Sequence, residues 1–427
     1  MKHSLLIPTT LIGVTLIGGA GLQFARSNAA SGGSTTAESA AATTGEDGTI
    51  TVTGVTLPGQ GVSTPAACEA ETTQTAKVVC AAEAFLGTLS EDQQTEVLLP
   101  LTQENAVRWS NFPSPFGERN GIQFSTLDDT QLNAALAVVK TSLGTLENEG
   151  YSEAMQIRMA DDVVALFDDG GGPGGQSGGA MGGPPDGVDN GSGGPGDGSR
   201  GPGGGAGGGA VSFSSGSYYL AFLGTPSTTD TWILQFGGHH LASNTTYKGG
   251  KVASATPYHT GVEPTAWTTK EASYAPLNGD HEGLVAMLAS LSDEQLTSAQ
   301  LSETFSDILV GPGEDGQFPA TKVGLPVSDL NDEQRALVLA AMKPWVQDAD
   351  AATAAELLAI YEQELDETYI SFSGDASLSN LADYARIDGP SVWIELASQG
   401  SDIDPTGIHY HTIWRDHERD YGAEYNF

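Results

Sequence analysis

Two hydrophobic periods share this chain unevenly. In four places a Leu precedes a Ser, Asp or Asn that is followed three positions later by Gln: Leu89-Ser90-Glu91-Asp92-Gln93, Leu127-Asp128-Asp129-Thr130-Gln131, Leu291-Ser292-Asp293-Glu294-Gln295 and Leu330-Asn331-Asp332-Glu333-Gln334. Each predicts a helix start. The short polar side chain accepts from the backbone N–H three residues on, the Gln reaches back, and the acids between them complement the helix dipole. Leu357, Leu358, Tyr361 and Leu365 continue at helical spacing. Runs rich in aromatic and branched residues at 218–223, 232–236, 368–372, 392–396 and 408–414 predict strands. Residues 68–167 therefore read as helical, and the C-terminal part as a sheet with helices between its strands. This distribution predicts an α+β fold, a helical N-terminal part packed with a mixed sheet and helices, rather than regular alternation.

Three stretches carry neither period. Met1, Lys2 and His3 precede an uncharged run at 5–21, which has the length of a signal-peptide core rather than of a spanning helix. Small residues at Ser27, Asn28, Ala29 and Ala30 offer a cleavage site, so 1–29 reads as a secretory signal, with an uncleaved anchor as the alternative. Residues 30–65, rich in Thr, Ser, Gly and Ala, predict a disordered tether. The block at 170–209 is more than half Gly, with Pro, Asp and Ser filling most of the rest, and reads as a disordered insertion in a single domain over 66–427. It lacks the strict three-residue Gly period of collagen.

Composition narrows the partners. Lys plus Arg number 17 against 54 Asp plus Glu, a net charge of -37, so no basic surface exists to neutralise phosphates. Nucleic acid is excluded as a partner, and so is a membrane beyond the signal peptide. At 39% hydrophobic residues the chain can still bury an ordinary core. The only cysteines are Cys68 and Cys80, with no histidine nearby to make a metal site, and in an exported protein they predict one disulfide. Secreted or periplasmic is the expected location.

Seven of the eight histidines follow Phe236, and four come as tight pairs, His239-His240 and His409-Tyr410-His411. The strand-like run at 407–414 alternates, so His409 and His411 are expected on one face, a ready half of a metal site. His239 and His240 follow a Gly237-Gly238 pair, read as a turn that lets either imidazole converge on the same point. Downstream, Tyr258-His259-Thr260-Gly261-Val262-Glu263-Pro264 offers Glu263 as the acidic ligand or general base, with His259 a weaker member. His281 and His417 read as structural or solvated. Glu395 lies within an apolar strand and needs a partner, for which Arg386 or Arg415 is available. A functional reading makes Arg415 a clamp for an anionic or carbonyl-bearing substrate.

The segments 232–244, 257–264, 384–395 and 409–422, together with Trp109-Ser110-Asn111-Phe112-Pro113, resemble those of a largely bacterial family of unknown function, DUF3500. The resemblance spans most of the chain from about Cys80. It implies one interrupted domain with the Gly-rich block as an insertion, and it implies little about reaction. Other patterns fit poorly. A cupin needs a Gly well before its His-x-His and a further His motif after it; there is no His-Glu-x-x-His, Gly-x-Ser-x-Gly or phosphate-binding loop.

The leading expectation is a secreted metalloprotein with one transition metal, zinc first and copper or iron next, held by His239 or His240, His409 and His411. It would act as a metal-dependent hydrolase on an unknown small-molecule or polymer substrate. A metal-dependent oxidoreductase follows narrowly. The rival class is a non-catalytic extracellular ligand- or protein-binding domain with structural histidines.

Overall fold

All four predicted capping boxes form, with Ser90, Asp128, Ser292 and Asn331 each accepting from the backbone N–H of the Gln three residues on. They also meet two by two. Gln93 and Gln131 exchange side-chain amide hydrogen bonds of 3.3 and 3.0 Å, and Gln295 and Gln334 do the same at 3.3 and 2.8 Å. Gln131 donates again to the Thr88 carbonyl and Gln334 to that of Ser290. One arrangement is thus built twice.

That duplication organises the molecule, a computed structural model that describes residues 39–45, 48–114, 116–167 and 213–427. The expected signal over 1–29 and the Gly-rich block at 170–209 lie outside the described residues. The long helices are α1 (Gln74–Leu86), α2 (Asp129–Ser142), α3 (Tyr151–Leu166), α4 (Asn278–Ala289), α5 (Asp332–Gln347) and α6 (Ala351–Gln363). The main strands are β1 (Tyr219–Leu223), β2 (Trp232–Gly238), β3 (Leu241–Lys248), β4 (Tyr258–Val262), β5 (Tyr369–Ser373), β6 (Tyr384–Asp388), β7 (Val392–Gly400) and β8 (Ile408–Asp416). They are antiparallel in the order β5-β6-β7-β8-β4-β3-β2-β1, and short edge strands, one of them parallel to β1, make the sheet mixed. The fold class is therefore α+β, as expected. Two four-stranded meanders, one from each half, join where β4 pairs with β8.

At that join the tripeptide Tyr258-His259-Thr260 runs antiparallel to Tyr410-His411-Thr412. Thr260 and Thr412 face each other with their hydroxyl oxygens 2.7 Å apart, and Trp345 Nε1 donates to Thr412 Oγ1.

Strand alternation gives the sheet two apolar faces. Leu220, Phe222, Leu234, Phe236, Ile387, Ile394, Leu396 and Trp414 pack beneath the helices in the larger core. Ala221, Leu223, Ile233, Ala242, Trp393, Ala397 and Ile413 face the other way, against Trp109, Ile308, Val310 and Tyr421 from loops. The histidines lie on this loop-covered face.

Within the expected tether, residues 41–65 need correction. Ala41–Thr44 and Ile50–Thr53 form an antiparallel hairpin that joins Trp267–Thr268 and Ser273–Tyr274 in a separate four-stranded sheet. Small and Thr-rich positions misled the composition reading, because β-branched Thr suits a strand and two apolar anchors, the fully buried Val52 and the nearly buried Val62, are enough to seat it. Cys68 and Cys80 form the predicted disulfide, which ties the short Ala66–Glu69 helix to α1.

Gln334 serves both its capping box and the cross-pair with Gln295, and it is 7% exposed. Gln334→Ala is expected to cost roughly 1–2 kcal/mol, read as a lower denaturant midpoint at unchanged slope. An unmoved midpoint would show that the paired boxes do not hold the helices.

Candidate metal centre

The β4–β8 register sets His411 opposite Gly261 and Ile413 opposite His259, so His259, His409 and His411 project from one face. His239 and His240 reach the same place differently from expectation. Gly237 and Gly238 remain paired within the β2–β3 ladder, and the two histidines themselves make the hairpin turn. A Cβ on Gly238 would sit 2.7 Å from the Tyr218 ring, so close packing rather than turning requires that glycine. His240 takes a left-handed φ of 58°, a region non-glycine residues enter at a cost and that marks functional positions. Its backbone is fixed on both sides: the N–H donates to the Asn111 carbonyl at 3.0 Å, and its carbonyl accepts from Gly261 N at 2.7 Å. Gly261 also leaves the room the rings need, since a Cβ there would lie 3.1 Å from both His240 and His411 carbons.

The side chains converge. His409 Nε2 and His411 Nε2 are 3.3 Å apart. Each ring has an acceptor at its other nitrogen, the Gly400 carbonyl 2.9 Å from His409 Nδ1 and Asp307 Oδ1 3.0 Å from His411 Nδ1; the Gln399 amide flanks the latter. The His240 ring lies 5.2 and 5.0 Å from those of His409 and His411, and one nitrogen from each of the three falls within 4.8 Å of the others. His239 stacks on His240 at 3.7 Å and is oriented by Asp161, 2.7 Å from its Nδ1.

Electrostatics restrict what this cluster can be. Burial, followed by the neighbouring rings, pushes His240 well below the ordinary histidine range and His409 down to about 3, so both are neutral at physiological pH. A neutral imidazole has one N–H. With the His409 proton given to the Gly400 carbonyl, its Nε2 lone pair faces His411 Nε2 across 3.3 Å. A carbonyl or carboxylate on the far nitrogen is the support metal-ligating histidines ordinarily have. Two nitrogens on a tetrahedral zinc at 2.0–2.1 Å are about 3.3–3.4 Å apart, which is the spacing found.

The cluster opens into a cavity of about 250 Å³ lined by Asn111, Phe112, Asp402 and the histidines 239, 240, 409 and 411. Arg119 holds its wall, donating to the carbonyls of Ser110, Phe112 and Gly238. Asn111 is 3% exposed and its Oδ1 has no partner, an acceptor left for whatever occupies the cavity.

Glu263 and Arg415, the two residues expected in catalytic roles, are not in the cavity. Glu263 Oε1 accepts from the backbone N–H of Asp402 and Ile403 and from Ser401 Oγ, and its Oε2 lies 3.9 Å from His409 Nδ1. It anchors the loop that carries Gly400 and Asp402. Arg415, expected as a substrate clamp, is fully buried, and its guanidinium donates to Asp315, Asp420 and the carbonyls of Val310 and Gly311. Nor does an arginine partner Glu395, which accepts from Leu309 N, Val310 N, Tyr384 Oη and Trp393 Nε1, while Arg386 lies over the Trp393 ring. Asp161, Asp307, Asn111 and Gly400 were not anticipated. Asp161 alone had a visible signal, an acid on the fully buried stretch of α3; the others act through contacts distant in sequence.

His259 is fully buried, 5.5 Å from the His411 ring, and neither ring nitrogen has a partner. Among the described residues no helix is long and apolar enough to cross a membrane. The sequence profile of the family described as "Protein of unknown function (DUF3500)" matches residues 71–423. Neither the curated proteins nor the solved structures yield a match.

Burial pushes His259 down to about 3, against about 6.5 in an unfolded chain. The unfolded state therefore binds the extra proton first, and this contribution to stability is lost as pH falls from about 6.5 toward about 3. Unfolding free energies measured across that window are expected to fall less steeply in His259→Leu than in the parent. An identical slope would remove His259 from the acid response.

Proposed function

The chain belongs to the DUF3500 family, and for it we propose an exported metalloprotein that holds one transition metal ion, zinc first, on His240, His409 and His411 and uses it in hydrolysis. The observation that carries this reading is the pair of Nε2 atoms facing each other at 3.3 Å while both Nδ1 atoms are taken by acceptors. Three imidazoles are a zinc donor set that leaves a further position open. Bound there, the metal would supply Lewis acidity, polarising a substrate oxygen or lowering the pKa of a water.

The chain's own residues provide the rest. Asp307 and the Gly400 carbonyl fix the ring tautomers, and Asp161 steadies His239 behind His240. Glu263 is a positioning residue through the 401–403 loop. Asp402 is the carboxylate on the cavity wall, and Asn111 Oδ1 is the buried acceptor beside it. The cavity has room for a small molecule or one end of a polymer. Export is supported by the Cys68–Cys80 disulfide and by the sequence pattern at 1–29.

A second reading has its own observation. Asp161, His239 and His240 also bring ligand atoms within 4.8 Å of one another, a two-histidine, one-carboxylate set that suits iron and redox chemistry.

Elemental analysis of protein purified without a His-tag or chelator is expected to find about one equivalent of zinc, and little in a folded His409→Ala/His411→Ala variant. Iron retained by that variant would favour the second set. Absence of metal from the parent, even after reconstitution with zinc, copper, iron and manganese, would overturn both readings. With zinc present, chelation is expected to abolish, and zinc to restore, turnover in a panel of ester, amide and phosphoester substrates.

A further inference from the structure

On the helical side of the sheet, four buried or half-buried carboxylates gather. Glu149 and Glu153 flank the start of α3 in the first half of the chain, Asp280 lies in the first turn of α4, and Asp348 caps the end of α5 in the second half. Oxygens from Glu149, Glu153 and Asp348 all lie within 4.8 Å of one another. Glu153, Asp280 and Asp348 are 1 to 2% exposed, and half-buried Glu149 is the member nearest solvent.

Hydrogen bonding does not account for the group. Asp348 Oδ1 accepts from Gly150 N, but both oxygens of Glu153, Oδ2 of Asp280 and Oε2 of Glu149 are buried without partners. None of the four forms an ion pair with a lysine, arginine or histidine among the described residues; burial and, for Glu149, Glu153 and Asp348, the neighbouring carboxylates dominate their surroundings. A different side chain points to the same vacancy of partners. Tyr258, from the central strand β4, is 1% exposed, its hydroxyl is unpartnered, and it lies within range of all four carboxylate charges.

We propose that Glu149, Glu153 and Asp348 bind one hard divalent cation, calcium, which ties the two halves of the molecule together. Asp280 is a further buried carboxylate whose charge acts on the same group. Calcium takes six to eight oxygen ligands at about 2.3–2.6 Å, so oxygens sharing one ion at about 2.4 Å lie no more than about 4.8 Å apart. An all-oxygen donor set selects hard cations over zinc or copper. Magnesium prefers to keep several waters, which so buried a site does not favour. Ionised and unpaired, these carboxylates would be costly to bury. In the ion-free protein they hold protons instead: burial and mutual repulsion push Glu149 up to about 10 and Asp280 up to about 8. This site is independent of the histidine centre, which lies on the other face of the sheet.

The test is a calcium titration of the EDTA-treated full chain by calorimetry and thermal unfolding. About one equivalent is expected to bind, raising Tm by roughly 4 °C at calcium a hundredfold above Kd. Magnesium at the same concentration is expected to do much less. The rise should vanish in Glu153→Gln/Asp348→Asn and persist in His409→Ala/His411→Ala. Amides stand in for the protonated acids of the ion-free protein, so the acidic-site variant should melt in EDTA no lower than the parent, which separates lost binding from lost folding. Should that variant not fold, Glu149→Gln at the half-buried position carries the test and is expected to weaken calcium roughly tenfold. No heat and no Tm change in the parent up to about 10 mM calcium would overturn the proposal, as would an undiminished response in the folded acidic-site variants.

Discussion

The pairing of β4 with β8 is the constraint on which the rest of this molecule depends. It is the seam between two meanders that repeat the same order of helices, capping boxes and strands, and it sits at the centre of the sheet, where neither strand has an exposed edge. The facing Thr260 and Thr412 hydroxyls, with the Trp345 indole donating to one of them, fix the register there. A slip of one residue would turn His409 and His411 away from Gly261 and into the helical core. Register at the seam is therefore also the geometry of the histidine cluster.

Antiparallel pairing of two Tyr-His-Thr tripeptides puts each chemistry on its own side. His259 and His411 face the loop-covered surface, where one imidazole joins a cavity and its counterpart is sealed without a hydrogen-bond partner. Tyr258 faces the helices, where it lines the same pocket as Asp348. Both groups concentrate one kind of donor in a low-dielectric place, where like groups cannot remain charged and unpaired. The two faces are alike in this, with imidazole nitrogens converging on one and carboxylates without hydrogen-bond partners on the other. A bound cation resolves either.

Several residues meet partners that local context did not offer, for one shared reason. Glu263 stands next to a histidine-bearing strand and looked available, but the 401–403 loop, far along the chain, brings backbone donors that take one of its oxygens. Arg415 neighbours the His-x-His motif, yet strand alternation buries it under the 310–315 segment, where two carboxylates and two carbonyls claim it. Glu395 needed partners, as its place in an apolar strand implied, and found them in backbone amides and aromatic donors rather than in an arginine. Residues 41–65 looked too small to fold and are held by a hairpin with a single fully buried valine in its strands.

What the amino-acid sequence determined by itself is what acts over a few residues. The four helix starts follow from side chains reaching backbone groups three positions away, and the shared face of His409 and His411 follows from the two-residue period of a strand. The Cys68–Cys80 bridge needed only the absence of other partners. The family, too, was legible in the order of short motifs, because those motifs lie on the central strands and on the loop that walls the cavity. Tertiary structure alone decided which donors and acceptors each buried group meets. It set Asp161 against His239, Asp307 against His411 and the Gly400 carbonyl against His409, and it gathered acids from residues 149 to 348 into one place. These are contacts between segments separated by up to two hundred residues, and their partners are chosen by the register of a sheet whose pairing no local period encodes.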